Sequence, residues 1–232
     1  MRILTIPDVH GRTNWISQIG EVTQWDLIIF CGDYVDSFDI SPEIIYENLV
    51  NIIEFKKTYF DKVILLLGNH DIQYVYENEN YECSGYQQHM MISYNILFKE
   101  HLGLFQVAYQ IGAYIWTHAG IVKSWYNRWV ALDANIEGDS IADKLNFMMC
   151  SSYYRRLLFQ VGYERGGSNL YGGIVWADKK ETESDILLGY SQIVGHTPVG
   201  DIAITIGGIN SNITYTDTRS KSAYILELEL EK

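Results

Sequence analysis

Three short apolar runs constrain this chain more than anything else in it, because each closes on the same kind of polar cluster. RILTI (2–6) ends in Pro7-Asp8-Val9-His10, DLIIF (26–30) in Cys31-Gly32-Asp33, and KVILLL (62–67) in Gly68-Asn69-His70-Asp71. Rich in Ile, Leu and Val and lacking alternation, they read as strands covered on both faces of a sheet. Helical patterns lie between them. Thr13 is placed to cap a helix with Trp15, Ile16 and Ile19 inward, and Ser41-Pro42 to open one that buries Ile44, Ile45, Leu49, Ile52 and Ile53. Alternation of strand and helix implies an α/β layered protein.

The second half changes pattern. A helical stretch around 86–101 is followed by FQVAYQIGAYIWT (105–117), which reads as a hairpin turning near Gly112. Residues 123–160 look helical, and 191–230 return to strands, of which SAYILELEL alternates like a half-exposed one. No repeat, low-complexity tract or proline-rich linker divides the chain, so a single domain over 1–232 is expected.

Composition narrows the partners. The 232 residues carry a net charge of −12, which disfavours binding to nucleic acid or membrane surfaces through phosphate attraction. Three widely spaced cysteines without a CxxC pair speak against a disulfide framework, and make a reducing cytoplasm the expected compartment. The opening MRILTIPDVHG turns polar too soon for a signal peptide, and no apolar run approaches the roughly 18 residues of a membrane span.

In open α/β sheets, ligands bind at the carboxyl ends of strands, where these clusters lie. Asp8, His10, Asp33 and Asn69 offer oxygen and nitrogen donors without a thiolate. Two further histidines follow apolar runs, His118 in Thr117-His118-Ala119-Gly120 and His196 in Val194-Gly195-His196-Thr197-Pro198. Carboxylate and amide oxygens mixed with imidazoles suit Mn²⁺, Fe or Zn²⁺. Six donors exceed one tetrahedral ion and match two ions sharing a carboxylate.

Together D8-x-H10, G32-D33-x-x-D36, G68-N69-H70-D71, H118 and G195-H196 resemble the five motifs of calcineurin-like metallophosphoesterases, in order. GDYVD and VGHTPV resemble the phosphoprotein-phosphatase-like branch, with its bacterial and phage serine/threonine phosphatases and diadenosine tetraphosphatases. The resemblance implies a layered fold of mixed β-sheets flanked by helices. It implies that Asp8 and His10 bind one metal, that Asn69, His118 and His196 bind another, and that Asp33 bridges the two, Mn²⁺ being the first choice. It also implies a hydroxide between the ions as nucleophile, with His70 as general acid oriented by Asp36.

The chain departs from that branch where arginines usually grip the phosphate. Ser37 and Leu67 stand there instead. Candidate replacements are Arg12, beside the first motif, and Arg165, in the glycine-rich YERGGSNLYGG, with Lys179 and Lys180 behind them. The resulting expectation is a phosphatase of phosphate monoesters, phosphoprotein or nucleotide. A phosphodiesterase or RNA-end-processing enzyme is the alternative, since a diester needs fewer cations. A catalytically silent scaffold is the non-enzymatic one, disfavoured by the intact set of donors.

Overall fold

The three apolar runs form neighbouring strands in the computed structural model of the protein, which describes residues 1–76, 83–219 and 221–229. In chain order the elements begin with β1 (Arg2–Ile6), α1 (Asn14–Glu21), β2 (Leu27–Phe30), α2 (Pro42–Thr58), β3 (Val63–Leu66), α3 (Asn69–Val75), α4 (Met91–Glu100) and β4 (Phe105–Gln106). They continue with β5 (Ala108–Ile111), β6 (Tyr114–Thr117), α5 (Lys123–Trp129), α6 (Ile141–Met148), α7 (Ser152–Leu158), α8 (Lys179–Ser184), β7 (Ser191–Val194), β8 (Ala203–Gly208), β9 (Ser211–Tyr215) and β10 (Tyr224–Glu227).

Contacts group these elements into two compact units, residues 1–105 with the segment from Thr218, and residues 106–217. Neither crossing, at 105–106 or 217–218, falls in a linker-like stretch, so composition does not mark it.

The first unit is built on a mixed sheet of order β10-β1-β2-β3-β4. β1, β2 and β3 run parallel, with Ile3 opposite Leu27 and Ile28 opposite Val63, and β10 pairs antiparallel with β1. Every residue of β2 is buried, as its unbroken apolar run requires. Because the three strands point the same way, their polar clusters emerge on one edge. α2 packs on β3 and buries Ile45, Leu49, Ile52 and Ile53. Two expected core positions are corrected: Ile16 is 54% exposed and Ile44 50% exposed. Each lies beside a residue that takes the inward position on its helix, Trp15 in α1 and Ile45 in α2.

The second unit carries a mixed sheet of order β5-β6-β7-β9-β8. β5 and β6 form the expected hairpin, with Gly112 left-handed at its turn. β6, β7 and β9 run parallel, so the chain segments bearing His118 and His196 leave the sheet at the same end. Within 123–160 the helical pattern resolves into the three short helices α5, α6 and α7.

Candidate active site

In the first unit the loops after β1, β2 and β3 are latched to one another through backbone. The N–H groups of Val9 and His10 donate to the Asp33 carbonyl at 3.1 and 2.7 Å, and that of Gly11 to the Tyr34 carbonyl at 3.0 Å. Asp71, wholly buried, accepts from the N–H groups of Asp33, Tyr34 and Gly68, each at 2.8 Å. One carboxylate thereby staples the second loop to the third. Close approach of the two loops needs Gly32 and Gly68: a methyl on Gly32 would strike the Gly68 backbone, and one on Gly68 the Asp33 carboxylate.

Left-handed backbone marks the same places. Among the described residues six non-glycine residues have φ between 46° and 62°, and four of them are His10, Asp33, Asp36 and His196. Each such conformation costs about 1–3 kcal/mol and persists where surrounding structure over-determines it, which is common at functional sites.

Side-chain geometry assigns proton positions. The Nδ1 of His10 lies 2.8 Å from the Asp36 carbonyl and 3.1 Å from the Val35 carbonyl, so it must carry the hydrogen. Its Nε2 faces Asp33 Oδ2 at 3.7 Å. Backbone carbonyls commonly orient metal-binding histidines in this way. His10, Asp33 and His70 bring their donor atoms within 4.8 Å of one another; Asp8, also buried, stands outside that tight set.

His70, the second residue of α3, donates its backbone N–H to Asp33 Oδ1 at 2.9 Å and places ring Nδ1 2.9 Å from Asp36 Oδ2. The same carboxylate accepts from the Tyr74 hydroxyl at 2.5 Å and from the Gln73 amide. Burial pushes the Asp36 carboxyl up, against the hydrogen bonds from His70 and Tyr74 that pull it down. Burial opposes charge on His70, yet Asp33 and Asp36 outweigh it and push its pKa up to about 12. The charged imidazole is favoured in this pair, with Nδ1 held against the Asp36 carboxylate. Asn69, the first residue of α3, is buried beside it.

The second unit presents a histidine pair. His118 follows β6 and His196 follows Gly195 at the end of β7; the Gly195 N–H donates to the His118 carbonyl at 2.9 Å. His118 Nε2 and His196 Nδ1 stand 3.1 Å apart, both rings buried. Two imidazole nitrogens at this spacing suit either one shared proton or one shared cation. Arg165 is drawn in beside them. It donates to the Thr197 hydroxyl at 2.6 Å and pairs with Asp178 at 2.8 Å, which anchors this glycine-rich loop.

The other cations differ in availability. Lys179 pairs with Glu183 and lies over the Tyr215 ring, and Lys180 pairs with Glu164. Arg12 stands near the Asp39 carboxyl, which is held low first by the Ser37 hydroxyl and, more weakly, by the Arg12 charge. Ser37 is spent on Asp39 at 2.6 Å, and Leu67 is fully buried.

Sequence reasoning placed Asp71 in the third motif without a role, and missed Gln73 and Tyr74 as parts of this site. Their signal was present: Asp71 is the third residue of a helix capped by Gly68, and Gln73 and Tyr74 follow His70 at i+3 and i+4, on its helix face.

Against this geometry, residues 1–200 match the calcineurin-like phosphoesterase family. Among curated protein sequences none matches the chain at a significant level. Of solved structures, one described as a cold-active protein tyrosine phosphatase superimposes with a TM-score of 0.61 at 17% identity, over 97% of this chain and 72% of that one. A cold-active protein-tyrosine phosphatase from a psychrophilic Shewanella species gives 0.60 at 18% identity, over 97% and 75%. At such identities these structures share the fold. The family match spans all five motifs, and the chain belongs to the calcineurin-like phosphoesterases, as a metal-dependent phosphoric ester hydrolase.

Proposed function

We propose that the protein is a binuclear-metal phosphatase of the phosphoprotein-phosphatase-like branch, hydrolysing phosphate monoesters. In this reading Asp8 and His10 hold one divalent ion, Asn69, His118 and His196 hold the other, and Asp33 is shared. The oxygen and imidazole donors, all buried except the partly exposed His10, fit Mn²⁺, with Fe or Zn²⁺ as alternatives. When bound, such ions supply Lewis acidity and an activated water. The observation that carries the reading is the His70–Asp36 pair. Asp36 occupies Nδ1, so the Nε2–H of the imidazolium is left to protonate the departing oxygen. Arg12, which carries no ion pair among the described residues and follows the first motif, is the residue assigned to the phosphate oxygens, while Arg165 braces the loop after His196.

Phosphorylated protein side chains are the favoured substrate class, because the two superimposed structures are described as protein tyrosine phosphatases; nucleotide monoesters come second. The diesterase or RNA-end-processing reading draws on one observation, that neither Ser37 nor Leu67 can clamp a dianion. The cytoplasm is the proposed compartment, given three free cysteines. No helix among the described residues is long and apolar enough to cross a membrane.

The test compares His70→Asn with the parent protein. Chelation should abolish activity and Mn²⁺ restore it. The variant should keep its metal content yet lose about 10²–10⁴ in kcat on alkyl phosphates. On p-nitrophenyl phosphate, whose leaving group needs little protonation, the loss should be smaller. Equal losses on both would remove His70 from the acid role, and faster turnover of diesters than monoesters would promote the second reading.

A further inference from the structure

Cys83 lies against the acid pair without belonging to any phosphoesterase motif. Its Sγ stands 3.5 Å from His70 Nδ1, and Asp36 Oδ2 stands 2.9 Å from the same nitrogen. One donor atom each from Asp36, His70 and Cys83 falls within 4.8 Å of the others. We propose that these three residues form a separate, inhibitory site for a thiophilic divalent cation of the Zn²⁺ class.

Chemistry and spacing both favour it. Thiolate, imidazole and carboxylate together are a zinc donor set, whereas the six proposed ligands of the catalytic ions include no sulfur. With Zn–S of about 2.3 Å and Zn–N of about 2.05 Å, a tetrahedral ion holds its sulfur and nitrogen roughly 3.5 Å apart, the spacing already present here. The imidazole and carboxylate need to part by only about 0.4 Å, to roughly 3.3 Å. The surrounding contacts are those of a supported ligand set. Gln73 accepts from the Cys83 N–H at 2.9 Å and donates its amide to Asp36, so one side chain ties the cysteine to the carboxylate. Tyr74 holds the other carboxylate oxygen. Such outer partners typically strengthen metal binding by 10–100-fold. His70 and Cys83 are only partly buried, which leaves an entry path.

Binding would form bonds to Sγ, Nδ1 and Oδ2 and release the thiol proton and the Nδ1 proton to solvent, a water filling the fourth position. His70 would then be bound to the metal through Nδ1 and parted from Asp36, which removes the contact that orients it as the acid. The site itself is independent of the proposed function; its inhibitory effect rests on His70 being the acid.

The experiment uses the full chain carrying Cys150→Ser, which removes the exposed thiol, and loaded with Mn²⁺. Titration with Co²⁺ should raise a near-ultraviolet thiolate-to-cobalt charge-transfer band that saturates at one equivalent. Adding Cys83→Ser should abolish it, and Cys83→Ala should do the same, with melting temperatures confirming that both fold. Zn²⁺ should inhibit the Mn²⁺-loaded protein at concentrations at least about tenfold lower when Cys83 is present. Zinc inhibition is read relative to each variant's own zinc-free activity, since the Cys83 sulfur touches His70 and Asn69. No band, or one that survives both substitutions, overturns the site. A band lost as expected, with zinc sensitivity unchanged, overturns the inhibitory role. Should the protein hydrolyse no phosphate ester, the proposed function fails while the cobalt titration still decides the site.

Discussion

Both units use the same device, a buried carboxylate at the third residue of a short helix, and the use each makes of it differs. In the first unit Asp71 accepts three backbone N–H groups at 2.8 Å, from Gly68 in its own cap and from Asp33 and Tyr34 nearly forty residues away. In the second, Glu181 of α8 accepts from its cap Asp178 at 2.9 Å and from Gly172 at 3.2 Å, nine residues back. Asp71 locks the loop that carries Asp33 and Asp36. Glu181 fastens the loop at Gly172 to its own helix cap. The same local motif is therefore a site-building element where its partners are remote in sequence, and a helix cap with one extra tie where they are near.

Substituting the two carboxylates gives the largest expected effects. Asp71→Ala strands three buried donors and should cost on the order of 3 kcal/mol or more, with metal content and kcat falling together. Glu181→Ala should cost about 2 kcal/mol and leave metal content intact. Chemical denaturation paired with metal analysis measures both. Loss of metal in Glu181→Ala, or its retention in Asp71→Ala, would break the comparison.

The arginines sharpen it at intermediate size. Arg12→Ala should raise KM for monoesters up to about tenfold, the worth of one charge-assisted hydrogen bond, with little change in melting temperature. Arg165→Ala removes the brace to Thr197 and Asp178, so it should lower melting temperature and kcat while changing KM less. Steady-state kinetics beside thermal melts would separate them, and reversed behaviour would make Arg165 the clamp.

The smallest effect is a pH dependence confined to the second unit. Burial acts to raise the Asp185 carboxyl, but hydrogen bonds from Ser124 and the 3.0 Å pair with Lys123 prevail and hold it low. A depressed folded-state pKa contributes stability that is present above the ordinary aspartate range, near pH 4, and lost as pH falls through the lowered value. Partly exposed, the group should contribute below about 1 kcal/mol. The melting-temperature gap between the parent and Asp185→Asn should hold from pH 7 to 5 and close below about pH 4; a gap that widens in acid would reverse the assignment.

Much of the fold was legible because buried parallel strands must be apolar throughout, and 2–6, 26–30 and 62–67 allow little else. The acids and histidines were legible by position, each directly after such a run. Hidden from that view were contacts between residues close in space and distant along the chain: Asp71 with Asp33, Gln73 and Tyr74 with Asp36, and Arg165 with Thr197. Periodicity also could not choose between Ile44 and Ile45 for the inward face of α2, since that depends on what the sheet presents.

What the sequence by itself determined was the inventory, namely α/β alternation, strand-end donors and a family of metal-dependent esterases. Those follow from local rules, hydrophobic run length and motif order, that need no knowledge of neighbours. Only the tertiary structure decided which cations are already committed, which proton His10 and His70 carry, and which cysteine lies against the acid pair. Such properties depend on distances of about 3 Å between segments brought together by folding, and hydrogen bonds and ion pairs lose their strength beyond that range.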